Sequence, residues 1–236
     1  LGLVGSEMCI RDRHKRGYRL AAAHAPINEV LAAGIILHSK WNGGMPVLDP
    51  MCGSGTFLVE AALIAHNMPA NVYRDSFGFT KWLDYDAELY ETIKNGMLKR
   101  AKEYDGKIFG RDLDTFALDA AADNIERSLF DDVIRLKRAD FFTTEAPASK
   151  GLMLVNPPYN VRIAADTHEF YKQMGDTLKQ HYAGWEVFWI TSDLEAIKSI
   201  GLRPSNKWSL YNGELECKLL RFSMYEGTKK VHKLNP

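Results

Sequence analysis

Asp49-Pro50-Met51-Cys52-Gly53-Ser54-Gly55-Thr56 is the stretch on which the fold turns. Ahead of it, Met45-Pro46-Val47-Leu48-Asp49 is a short apolar run. Behind it, Phe57, Ala61, Ile64 and Met68 recur at helical spacing as far as Pro69. The pattern predicts strand, turn and helix, with the turn where open α/β sheets bind ligands. Two glycines let a backbone approach a ligand closely, and a helix start offers unpaired N–H groups to a carboxylate or phosphate. A nucleotide-hydrolysing loop needs Lys after its last glycine, but Gly55 is followed by Thr56 and Phe57. A dinucleotide fingerprint wants a small residue where Leu58 stands and an acid about twenty residues on. The candidate acid, Asp112, lies 112 − 49 = 63 residues beyond Asp49. Taken alone, the turn also suits plain packing of a helix on a strand.

Working outward, residues 107–112 (KIFGRD) read as a second strand, and Asp114 caps a helix with apolar positions Leu118, Ala121, Ile125 and Leu129. Residues 133–137 alternate as a strand and 152–155 (LMLV) form a buried one. Phe170, Met174, Leu178 and Tyr182 then mark a helix leading to a strand over 186–191. Runs 207–211 and 214–224 flank Asn212-Gly213, a strong hairpin signal. Strands alternating with helices imply a mostly parallel sheet covered on both faces, with a C-terminal antiparallel hairpin strand. The expected fold is therefore α/β. An insertion at about 69–105, carrying Tyr73, Phe77, Phe79, Trp82 and Tyr85 and a helix-like stretch over 89–104, is expected to pack at the sheet's edge.

The chain has 236 residues, 46% hydrophobic, which makes it one domain with a full core. It has no apolar run of the roughly 18 residues that a membrane span requires. Cys9, Cys52 and Cys217 form neither a disulfide framework nor a zinc spacing, so a reducing cytoplasm is the expected compartment. With 30 basic and 30 acidic side chains, charge alone argues for no nucleic-acid partner. Residues 1–13, containing VGSEMCIRDR, look like translated sequencing adapter, so the domain is expected over 14–227. A flexible tail with Lys229, Lys230 and Lys233 is expected over 228–236.

Asn156-Pro157-Pro158-Tyr159 follows the buried strand 152–155, on the same edge of the expected sheet as the glycine turn. Two prolines cannot continue a central strand, so the segment is a stiff extended loop. An exocyclic amine on a purine is a poor nucleophile because its lone pair is delocalised. The Asn156 side-chain oxygen and the Pro157 carbonyl could accept both amine hydrogens and hold the nitrogen towards an electrophilic methyl, with Tyr159 stacked on the base. The bland alternative is a Pro-rich turn with a surface tyrosine. Cys52 has no histidine beside it in sequence and reads as packing, and the seven histidines show no ligand spacing, so no metal is assigned.

DPMCGSGTF, GRDLD, RADFF and NPPY together resemble class I S-adenosylmethionine-dependent methyltransferases with a Rossmann-like fold. HKRGYR (14–19), APINE (25–29) and FGFTKW (77–82) narrow the resemblance to the RlmL-type branch: ribosomal RNA large-subunit guanine-N2 methyltransferases with an upstream RNA-binding THUMP domain. The resemblance implies that Asp49 and the backbone of Met51, Cys52, Gly53, Ser54, Gly55 and Thr56 hold the methionine part of the cofactor. It implies that Asp112, with Leu113 after it, takes the ribose, that Asp140 takes the adenine amine with Phe141 against the ring, and that Asn156, Pro157, Pro158 and Tyr159 hold the target. Asn160-Val161-Arg162 stands where the family commonly has Gly-Glu-Arg. Arg162 is kept, and with Arg16, Arg19 and Arg74 it is a candidate for RNA phosphate. The expected reaction is methyl transfer to a guanine N2 of ribosomal RNA. The alternatives are adenine N6 in DNA or RNA, a protein glutamine, or a non-catalytic RNA- or cofactor-binding module.

Overall fold

The computed structural model describes residues 15–19, 26–157 and 164–225, over 164–166 the backbone alone. Tyr159, Pro158, Arg162, the first 14 residues and the tail lie outside the described residues. Helix α1 (Glu29–His38) precedes β1 (Val47–Asp49) and α2 (Thr56–Ala65). A 3-10 turn (Gly78–Lys81) and α3 (Ala87–Leu98) intervene before β2 (Ile108–Asp112), α4 (Thr115–Arg127), β3 (Ile134–Arg138) and β4 (Gly151–Val155). Then come α5 (Ala164–His181), β5 (Trp185–Thr191), a 3-10 turn (Ala196–Ile200), β6 (Asn206–Asn212) and β7 (Leu215–Ser223).

The seven strands run in the order β3-β2-β1-β4-β5-β7-β6. All pairs are parallel except β5 with β7 and β6 with β7. The chain steps outward from β1 through β2 to β3, then returns to place β4 on β1's other side. The strand order thus reverses between β1 and β4, where α/β sheets open a ligand crevice.

Alternation along the strands divides the core in two. Val47, Leu152, Leu154, Phe188 and Ile190 face a layer including Ile35 and Ile36 of α1, Leu58 and Ala62 of α2 and Ile125 of α4. Leu48, Met153, Val155, Val187 and Trp189 face Tyr171, Met174 and Leu178 of α5. Nine of the ten residues of α2 are buried, because the helix lies between the sheet and other helices and not at the surface.

Several expectations shift. Leu129 is 76% exposed with φ 56°: α4 ends at Arg127, and Leu129 turns out of the helix path in the left-handed region instead of extending the apolar stripe. The hairpin's central residues are Gly213 and Glu214, since Asn212 still pairs with Leu215, and Gly213 takes φ 65°. The Asn212 side chain instead accepts from the Asn28 N–H at 3.1 Å, tying the hairpin to the start of α1. In the insertion, the helix stops at Leu98. The segment is fastened to the end of α2, with Lys102 N–H on the His66 carbonyl and Asn67 on the Arg100 carbonyl, both at 2.9 Å. Tyr73 reaches the Ser128 carbonyl between α4 and β3.

Candidate functional site

The glycine turn is held by three bonds, two to β2 and one from α4. Cys52 N–H donates to the Arg111 carbonyl (2.9 Å) and Gly53 N–H to Asp112 Oδ2 (2.9 Å), both in β2. Asn124 of α4, fully buried, donates from Nδ2 to the Ser54 carbonyl at 3.0 Å. Gly53 and Gly55 take φ 53° and 79°, which L side chains rarely adopt. A Cβ on Gly55 would also sit 3.3 Å from Ala121 of α4, so turn and helix are in close contact.

Asp49 ends β1 buried at 2% exposure, with Oδ1 accepting from Met51 N–H at 3.1 Å. Burial pushes its carboxyl well above the usual carboxylate range; the Met51 N–H pulls the other way and the nearby Asp112 carboxylate adds to the rise. Burial, with Asp49 and Asp112, likewise raises the Cys52 thiol, which suits packing and leaves little thiolate. Asp112 spends Oδ1 on Asp114 N–H (3.0 Å), and Asp114 caps α4 as its sequence position predicts.

The turn carrying Asp140 is joined to β2 through Ala139 N–H on the Asp112 carbonyl (3.1 Å), so both acids lie on one rim. Asp140 Oδ1 accepts from Phe142 N–H at 2.9 Å. Phe141 is 2% exposed and stacks on Tyr182 of the α5-side core, ring centroids 5.3 Å apart. Leu113 is 55% exposed, an apolar surface directly after Asp112.

Arg16 and Arg19 are not presented as phosphate contacts. Arg16 is 8% exposed, its Nε 3.3 Å from Glu60 Oε1, which also accepts from Tyr18 OH at 3.0 Å. Arg19 lies 3.5 Å from Glu29 and donates to the Ile27 carbonyl (3.0 Å) and Thr56 Oγ1 (2.8 Å). Arg74 donates to the Ser76 carbonyl and sits over Phe77. The two inward arginines instead brace the first turns of α2, the helix that the glycine turn begins. Glu60 and Asn124 escaped the sequence reading; a lone acid inside the apolar run Phe57 to Ala62 was the available signal for Glu60.

In parallel register Leu48 lies opposite Met153, so Asp49 is level with Leu154, and Asn156 follows two residues later on the adjacent strand. Both chain segments leave the sheet on the same rim, one strand spacing apart, at about 4.8 Å. The glycine turn and Asn156-Pro157 therefore face one crevice.

The residues present suit S-adenosylmethionine. Ser54 Oγ is buried without a hydrogen-bond partner, and α2 starts at Gly55 with no side-chain cap, leaving its first-turn donors for a carboxylate. Asp112 borders the turn as an acceptor for hydroxyls. No cluster of three metal-ligating side chains occurs among the described residues, and no described helix is long and apolar enough to cross a membrane.

A seven-stranded sheet with this order, a glycine turn after β1 and acids at the end of β2 and after β3 defines the S-adenosylmethionine-dependent methyltransferase fold. The chain belongs to the UPF0020 family, described as the RMKL-like methyltransferase domain, which matches residues 16–221. It is 36% identical over 217 residues to slr0064 of Synechocystis sp., covering 90% of this chain and 56% of that protein. It is 34% identical over 224 residues to the ribosomal RNA large subunit methyltransferase K/L of Shewanella baltica, covering 92% of this chain and 32% of that protein. Among solved structures, SMU.472 complexed with SAH superposes with a TM-score of 0.81 at 33% identity, covering 91% of this chain and 56% of that one. The chain thus spans about half or less of the length of these relatives.

Proposed function

We propose that this domain transfers a methyl group from S-adenosylmethionine to the exocyclic N2 amine of a guanine in large-subunit ribosomal RNA. The observation that carries the reading is the adjacency of two segments on one rim, the glycine turn after β1 and Asn156-Pro157 after β4. The bound cofactor supplies an electrophilic methyl on a sulfonium, so the protein's task is alignment and exclusion of water. Asp49 and the turn from Met51 to Thr56 hold the methionine end, Asp112 accepts from the ribose hydroxyls, and Leu113 and Asp140 border the adenine. Phe141 contributes by closing the core beneath that turn. The Asn156 side-chain oxygen and the Pro157 carbonyl accept the two amine hydrogens and orient the nitrogen's lone pair, with Pro158 stiffening the loop and Tyr159 stacking on the base. A new N–C bond forms as the S–C bond breaks, and the proton leaves the amine after transfer, when it has become acidic, so a strong general base is unnecessary. Arg162 is the remaining phosphate candidate, and the THUMP domain implied by the resemblance belongs to the same proposal.

The name of the Shewanella relative supports ribosomal RNA as the substrate class. The same loop chemistry serves an adenine N6 or a glutamine amide equally, so the assay must offer all three. Incubation with methyl-labelled cofactor and bulk large-subunit ribosomal RNA, duplex DNA or release factor is expected to label the RNA, at N2-methylguanine on nucleoside analysis. Label confined to DNA or protein overturns the proposal.

A further inference from the structure

A second cleft lies away from the crevice, on the sheet face covered by α5. It measures about 380 Å³ between the 3-10 turn at 196–200 and the β6–β7 hairpin. Leu194, Ile197, Leu202 and Pro204 line it with accessible apolar surface over the buried Ile200, Leu220 and Phe222, and Lys198, Lys207 and Lys218 also line it. Apolar surface flanked by cations is the chemistry that receives a nucleotide, base or sugar on the floor and phosphates on the ammonium groups.

Strand register relates this cleft to the crevice. Val155 pairs with Trp189, which puts Pro157 level with Thr191. Thr191 pairs with Lys218, and Lys218 with Ser209. A straight row therefore crosses from the Pro157 loop over β5 and β7 to β6, three strand spacings or about 14 Å. Lys207, two residues from Ser209, shares its face of the sheet.

The acids nearby do not neutralise the site firmly. Lys198 is 2.7 Å from Glu195 and Lys218 is 3.1 Å from Glu216, but the Lys198 pair is open to water and the Glu216 side chain is 54% exposed. Exposed pairs contribute little, so a phosphate can replace either carboxylate. Lys207 is exposed at the edge strand.

We propose that this cleft holds a nucleotide of the RNA strand that flanks the target base, with Lys207 and Lys218 on its phosphates and Lys198 at the far rim. The inference rests on the RNA reading above and adds to it a second contact, outside the cofactor crevice. The whole chain and its Lys207→Ala/Lys218→Ala variant are compared for binding to a large-subunit ribosomal RNA transcript across a salt series, with cofactor affinity measured alongside. Loss of two phosphate contacts is expected to lower RNA affinity about tenfold or more. It should also make the slope of log affinity against log salt shallower by about 1.4, at roughly 0.7 per contact on a single strand. Cofactor affinity should stay the same, and Lys207→Glu should weaken RNA binding further. If the unaltered chain binds RNA and the variant matches it in affinity and slope, the cleft proposal fails while the methyl-transfer reading stands. A variant that changes self-association and not RNA binding assigns the cleft to a second copy, which also overturns it. An unaltered chain that neither binds nor methylates the RNA overturns both.

Discussion

At the scale of single residues, Asp49 makes the sharpest statement. Burial, at 2% exposure, and the Asp112 carboxylate push its carboxyl well above the usual carboxylate range, and a cationic ligand pulls it back down. S-adenosylmethionine carries positive charge at its sulfonium and ammonium, so its binding should favour the ionised form and release a proton. Because Asp49 is shifted upward in the free protein, affinity should climb as pH rises through the Asp49 titration. Calorimetry in buffers of different ionisation enthalpy should report proton release across that titration, and Asp49→Asn should abolish both the release and the pH dependence; release that persists in the variant assigns it elsewhere. Asn156→Ala is expected to keep cofactor binding and to lower methyl transfer by about a hundredfold, as loss of alignment does. Unchanged turnover would make the loop structural. The glycine turn was legible in the sequence because turn chemistry is local. The partners of Ser54 and Glu60 were not: Asn124 and Tyr18 lie 70 and 42 positions away, and only the fold brings them close.

At the scale of elements, two glycines separate a hard contact from a soft one. A Cβ on Gly175 of α5 would lie 1.8 Å from the Ile200 carbonyl oxygen, whereas one on Gly110 of β2 would meet the methyl ends of Leu58 and Leu136 at 2.3 and 2.7 Å. Side-chain ends can rotate, but a backbone carbonyl carries its whole segment with it. Gly175→Ala is therefore expected to cost about 3 kcal/mol and Gly110→Ala about 1 kcal/mol in urea unfolding; a reversed order would contradict the close seating of α5 on the 196–200 turn. The strands and α5 were readable from their period. Helix α1 was not read: EVLAAGIILH is apolar nearly all round, so no stripe marks it, although Asn28 accepting from Val30 and Leu31 N–H groups is a cap of a kind a sequence can show.

At the scale of the whole molecule, the layer of α1, α2 and α4 contains a buried charged knot, Arg16, Tyr18 and Glu60. Burial lifts Glu60 from the usual 4.5 to about 7, against the pull of Arg16 and Tyr18. The folded state then binds a proton that the unfolded chain has already lost between those pH values. The associated stabilisation is complete below about 4.5, on the order of 3 kcal/mol, and is lost as pH rises through about 7. Thermal unfolding should show Tm falling from pH 5 to pH 8, and Glu60→Gln, which resembles the protonated acid, should flatten that fall with little cost at pH 5. A slope that survives the substitution would place the titration in another group.

The whole account depends on a cofactor and an amine acceptor meeting between β1 and β4. A crystal structure of this chain with S-adenosylhomocysteine tests that most directly. The expected result is a carboxylate on the first-turn N–H groups of α2, ribose hydroxyls on Asp112, and the sulfur turned towards Asn156 with room for a methyl and an amine at about 3–3.5 Å. A ligand bound away from Asp112, or a sulfur directed away from Asn156, would contradict it.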